Sequence, residues 1–144
     1  MENIRIDTGT KRIQINDGPE FIEFDPTDVD FAEKFYDLVI DFENKQVEYT
    51  QRADNLKTAE KDEQTILANT AETISLVKEI CEYMNGQIDK VFGENTSKKC
   101  FGSHQSLTQY IQFFQGIVPI ISTVRDVKIT KYLPHPHKKV SKTK

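Results

Sequence analysis

Hydrophobic positions in the first 24 residues fall at every second place, and beyond them the step lengthens to three and four. In KRIQINDGPEFIEF, Ile13 and Ile15 alternate with polar residues, Asp17, Gly18 and Pro19 follow as turn formers, and Phe21, Ile22 and Phe24 make a second short run. That order predicts an antiparallel β-hairpin. Ile4 and Ile6 in NIRID alternate in the same way and predict a third strand, since a lone two-stranded ribbon is marginal in water. Residues 1–24 are therefore expected to form a small antiparallel sheet.

From Asp25 onward the period is helical. Asp25, Thr27 and Asp28 are candidate caps, and Phe31, Phe35, Leu38, Phe42 and Tyr49 recur at three-, four- and seven-residue steps, predicting a helix over 28–57. The following stretch, NLKTAEKDEQT, is polar but holds neither Gly nor Pro, so a loop and a continuous rod both remain open. Leu67, Ile74, Val77, Ile80 or Cys81, Met84, Ile88 and Val91 predict a second helix over 60–92, stopped at Gly93. Ser106 then caps a third apolar stripe of Leu107, Tyr110, Ile111, Phe114, Ile117, Ile121 and Val124. Pro119 interrupts it, predicting a break or kink over 116–119 with helix resuming to about Thr130. The fold class is mainly α (α+β): a small N-terminal hairpin or sheet followed by a bundle of long amphipathic helices. One domain spans 1–130, with its β element at 1–24 and helical body at 25–130, and 131–144 reads as a flexible basic tail.

Charge changes this picture at one end. Residues 1–127 hold all 23 acids against 13 Lys and Arg, whereas 128–144 hold six Lys and no acid. An acidic body repels nucleic-acid phosphate, so no specific nucleic-acid partner is expected. No apolar run approaches the roughly 20 residues of a membrane span, and the N-terminus lacks the apolar core of a signal peptide, which points to the cytoplasm and to no membrane partner. Cys81 and Cys100 read as reduced thiols.

The stretch FGENTSKKCFG, residues 92–102, looks most like a site. A phosphate-gripping P-loop needs G-x-x-x-x-G-K-[ST], and neither Gly93 nor Gly102 precedes a lysine. Cys100 and His104 stand four apart, a spacing at which a thiol and its base can meet on a helix, but Gly102 lies between them and no third group orients the pair. His104, His135 and His137 lack the Cys or acidic companions of a tetrahedral metal site. Asp37, Asp41 and Glu48 fit a solvated acidic face. The stretch reads as a corner, with Thr96 or Ser97 capping a short turn and Phe92 and Phe101 tucked onto the core. No catalytic residue, cofactor or metal is assigned.

Taken in order, IEFDPTDVDFAEKFYDL and FGENTSKKCFGSHQSLTQYIQFFQGIVPII resemble small helical proteins of phages and prophages of Gram-positive bacteria, and are similar to the tail assembly chaperones of long-tailed phages. The resemblance covers about residues 1–122, and its more specific block joins a Phe-Gly turn to a helix containing Phe113, Phe114 and Gly116. It implies a non-catalytic protein that keeps the tape measure protein soluble and recruits tail tube subunits in the cytoplasm of the bacterial host. It further implies a longer form made by ribosomal frameshifting near the lysine-rich end. The alternative is a structural virion component, such as a head-tail connector or minor tail protein. Two aromatic stripes, Phe31, Phe35, Phe42 and Tyr49 on one helix and Tyr110, Phe113, Phe114 and Ile117 on another, exceed what one core needs and are expected to bind a partner or a second copy.

Overall fold

A computed structural model describes residues 1–58 and 62–132. Strands β1 (Lys11–Gln14) and β2 (Phe21–Phe24) precede helices α1 (Val29–Thr58), α2 (Glu63–Phe92), α3 (Thr96–Phe101) and α4 (Leu107–Tyr132). Helix dominates, as the periodicity predicts.

The hairpin pairs Lys11 with Phe24 and Gln14 with Phe21. Its loop closes through Ile15 N–H donating to the Glu20 carbonyl and Gly18 N–H to that of Ile15, both at 2.9 Å. Asn16 and Asp17 take the left-handed conformation there, with φ of 55° and 57°. Their short polar side chains tolerate it better than most. Ile22 and Phe24 alternate with exposed neighbours and are buried against the helices, which is how a two-stranded ribbon stays folded. The third strand does not form: residues 1–10 carry no strand, and Ile4 and Ile6 are 82% and 81% exposed.

Asp28 begins α1, its carboxylate accepting the Asp30 N–H at 3.0 Å. Asp62 begins α2 by accepting the Thr65 N–H and hydroxyl, each at 2.8 Å, and the backbone bond in particular holds its carboxyl below the ordinary range. The two long helices form an antiparallel hairpin. Tyr83 donates to Asp41 at 2.7 Å near one end, and the Asn69 amide donates to the Leu56 carbonyl at 2.6 Å near the other. Of the two connections left open by the sequence, the continuous rod is therefore ruled out; residues 59–61 lie outside the described residues.

On α2 the buried set is Leu76, Ile80, Cys81, Met84 and Ile88. Leu67 and Ile74, placed on the same stripe by the sequence, are 66% and 63% exposed. Their register is right, since 67, 74, 81 and 88 are successive heptad positions that drift only about 20° per step. What they lack is a cover: α4 lies over Cys81, where the Tyr110 hydroxyl donates to the Cys81 carbonyl at 3.0 Å and meets the Asn85 side chain at 2.7 Å.

No break occurs at Pro119, and α4 runs through it to Tyr132. An interior proline costs a helix about 3 kcal/mol by removing one N–H and crowding the carbonyl four residues back. Here that carbonyl belongs to Gln115, and both Gln115 and Pro119 are on the exposed face, where water can take the freed acceptor. Ile117 and Ile121, buried on the other face, hold the helix on either side. Lys131 and Tyr132 thus belong to α4, and the remaining tail, 133–144, lies outside the described residues.

Two substitutions separate packing from polar order in this core. Phe42→Ala removes a ring facing both Tyr110 and Phe114 and should cost about 3–5 kcal/mol in chemical denaturation. Tyr110→Phe keeps the ring but strips the Cys81 carbonyl and Asn85 of their partner, and should cost about 1–3 kcal/mol with unchanged helical content.

Candidate functional site

The corner between α2 and α4 is built as a series of stops. Gly93 ends α2 with φ of 117° and donates to the Asp89 carbonyl at 2.8 Å. Asn95 adopts a left-handed φ of 71° and makes no side-chain cap. The expected capping by Thr96 or Ser97 is replaced by a cap from the preceding helix, in which Asp89 Oδ1 accepts the Ser97 N–H at 2.8 Å. Thr96 instead turns back, donating its hydroxyl to the Gly93 carbonyl at 2.7 Å. Gly102, with φ of 61°, closes α3 by donating to the Lys98 carbonyl at 2.8 Å. Phe92 and Phe101 turn inward as the corner reading requires, each packing on Phe113.

Beside this corner lies a depression of about 740 Å³, between residues 13–16 of the β1 side and α3 with the first half of α4. Ile13, Ile15, Phe101, Phe113 and Ile117 supply apolar lining, and Gln14, Gln109 and Gln112 supply amides. Lys98, Lys99 and His104 also line it, and no aspartate or glutamate does. For a body whose acids outnumber its Lys and Arg by 23 to 13, an acid-free groove is a local reversal of sign.

Cys100 lines the same groove, half-buried. Burial above all, with the nearby Asp89 charge adding to it, pushes its thiol up to about 11. A nucleophilic cysteine needs the opposite shift, toward thiolate at neutral pH. Cys81 is fully buried and its thiol is raised chiefly by burial. Among the described residues no three of His, Cys, Asp and Glu gather at metal-binding distance. His135 and His137 lie outside the described residues.

The aromatic stripes expected to bind a partner face each other. Phe35 and Phe42 meet Phe114 at 6.1 and 5.2 Å, and Phe42 meets Tyr110 at 5.9 Å. Phe31, Phe35, Phe42, Tyr110, Phe113, Phe114 and Ile117 are all buried in one core, with Tyr49 half-buried at its edge. Their surplus is only apparent, because each stripe covers the other, and none of the seven buried side chains offers a docking surface in this fold. Exposed apolar side chains lie elsewhere, among them Ile66, Leu67 and Ile74 on the uncovered half of α2, and Val29, Tyr36, Ile40 and Val47 on the side of α1 away from the core. The spacing of the α1 set, at steps of seven and four, was available in the sequence but is masked by the stronger aromatic stripe on the same helix.

A protein-family model described as "Family of unknown function (DUF6673)" matches residues 17–144. The chain belongs to that family. No curated protein and no solved structure matched it. The DUF6673 match takes in β2, the four described helices, the corner and the α3–α4 side of the groove, whereas β1 and the strand wall of the groove, residues 13–16, fall outside it.

The raised thiol makes the corner testable by chemistry. Because reactivity follows the thiolate, alkylation of Cys100 by iodoacetamide at pH 7 should be about 100-fold slower than that of an ordinary exposed thiol and should rise roughly tenfold per pH unit toward 11. Cys100→Ala should leave the thermal midpoint within a few degrees, as read by circular dichroism.

Proposed function

We propose that this protein is a non-catalytic binding protein that covers an amphipathic helix of a partner. In the setting implied by the phage resemblance, it is a tail assembly chaperone holding the tape measure protein and engaging tail tube subunits. One observation carries the reading. The face of α2 that meets α4 at Cys81 continues outward through Ile74 and Leu67 with the same heptad register, and there it is uncovered. A partner helix laid end to end with α4 would bury apolar side chains that the chain itself leaves in water, by the helix-in-groove mode of recognition. The α1 stripe of Val29, Tyr36 and Ile40 is less suited, since it extends no surface on which a helix already rests.

The test is co-expression with a tape measure protein of a long-tailed phage. Wild type should keep that partner in the soluble fraction. Leu67→Asp with Ile74→Asp should remain folded, its melting temperature within a few degrees because both side chains are exposed, yet leave the partner in the pellet. Equal solubilisation by the double variant would overturn the site. Mass spectrometry of purified virions separates this reading from a structural virion component, since a chaperone should be missing from mature particles and a connector or minor tail protein present.

A further inference from the structure

The uncovered face of α2 is complementary to itself. About a point midway between Thr70 and Ala71, Leu67 and Ile74 stand at equal distances on either side, and so do Glu63 and Lys78. All six residues are exposed, and they fill the length of α2 from its first residue to the turn before Cys81, where Tyr110 of α4 is met. At 3.6 residues per turn, Glu63, Leu67, Ile74 and Lys78 fall within about 60° of one another around the helix, so the two apolar side chains carry an acid at one end and a base at the other on a single face. Glu63 and Lys78 are about 22 Å apart along the axis, too far to meet within one chain, and neither enters an ion pair among the described residues.

We propose that two copies of this chain pair antiparallel through this face, about a two-fold axis passing between Thr70 and Ala71. Leu67 of each copy then packs on Ile74 of the other, and Glu63 of each meets Lys78 of the other, once at either end. Burial of the four apolar side chains holds the pair together, while the charges fix its direction. A parallel pair would set Glu63 against Glu63 and Lys78 against Lys78, and would bring two copies of α4 into the same space at Cys81. In the antiparallel register Cys81 of the second copy falls opposite position 60, before α2 begins, so its α4 does not obstruct the seam. The pairing rests on exposure and register alone and stands whether or not the face also takes a partner helix; where it does, the two compete for the same residues.

The experiment uses the full chain carrying Cys100→Ala, which leaves only the fully buried Cys81. Ala71→Cys in that background places two thiols beside the axis, offset by only about 1.5 Å along the helices, and mild oxidation should link them into a covalent dimer. Leu67→Cys lies roughly 10 Å along the axis from its own copy and should not cross-link. In sedimentation, the otherwise unaltered chain should be dimeric, Lys78→Glu should weaken association about tenfold in low salt and less in high salt, and adding Glu63→Lys to that variant should restore it, all at unchanged helical content. A chain that stays monomeric up to roughly 0.5 mM, a Leu67→Cys dimer that forms as readily as the Ala71→Cys dimer, or a charge-exchanged double variant no tighter than Lys78→Glu alone would overturn the pairing. Solubilisation of a tape measure protein is a separate readout, so the pairing and the partner-helix reading can fail independently.

Discussion

The ring of Phe92 is where the separate parts of this fold are held to one another. As the last residue of α2 it meets Phe24 of β2 at 5.3 Å, Phe31 and Phe35 of α1 at 5.4 and 5.9 Å, and Phe113 of α4 at 5.4 Å, mostly edge to face. Each such pair adds about 0.5–1.5 kcal/mol beyond its buried area. The geometry matters more than the sum. A helical hairpin can form from α1 and α2 alone, but the β-ribbon has no second layer except this cluster, and α4 is placed along α2 by Phe113 here and by Tyr110 further on. The groove exists because the ribbon and α4 are both fixed to one ring and diverge from it.

Polar groups then choose one arrangement among those that apolar rings would tolerate. Asp89 serves two stops at once, its carbonyl accepting the Gly93 N–H and its side chain the Ser97 N–H, and so sets the angle at which α3 leaves α2. That angle puts Lys98 and Lys99 on the groove. Tyr110, fully buried, carries its hydroxyl to a backbone carbonyl and an amide on α2, and burial pushes its own ionisation well up. A buried hydroxyl left without those partners would be costly, so sliding α4 by one turn is disfavoured even though the apolar stripe would permit it.

Elements were more legible in the sequence than faces. The hairpin, the two long helices and the stop at Gly93 follow from period and turn chemistry, which are local. Whether Leu67 is buried depends on where another helix begins, forty residues later, and no local pattern encodes that. The two aromatic stripes looked like an excess because each was weighed against a core of unspecified size; placed face to face they are one core. Pro119 misled for a related reason, since the penalty for an interior proline falls when the freed carbonyl faces water, and exposure of Gln115 is a tertiary fact. The groove was invisible as a site because its distinguishing feature is a missing charge, spread over three segments that only the fold brings together.

The order of the aromatic residues along the chain also bears on how it is made. Phe24, Phe31, Phe35 and Phe42 leave the ribosome well before Phe92, Tyr110, Phe113 and Phe114, which are the rings that cover them. At ordinary synthesis rates the interval is roughly 4–16 s for the eighty or so residues between Phe31 and Phe113. During that time an amphipathic helix with a bare aromatic face is free in the cell, protected chiefly by the acids interspersed along it. The crowding of Asp and Glu into the first half of the chain is thus in place when it is needed most, before the molecule has an inside.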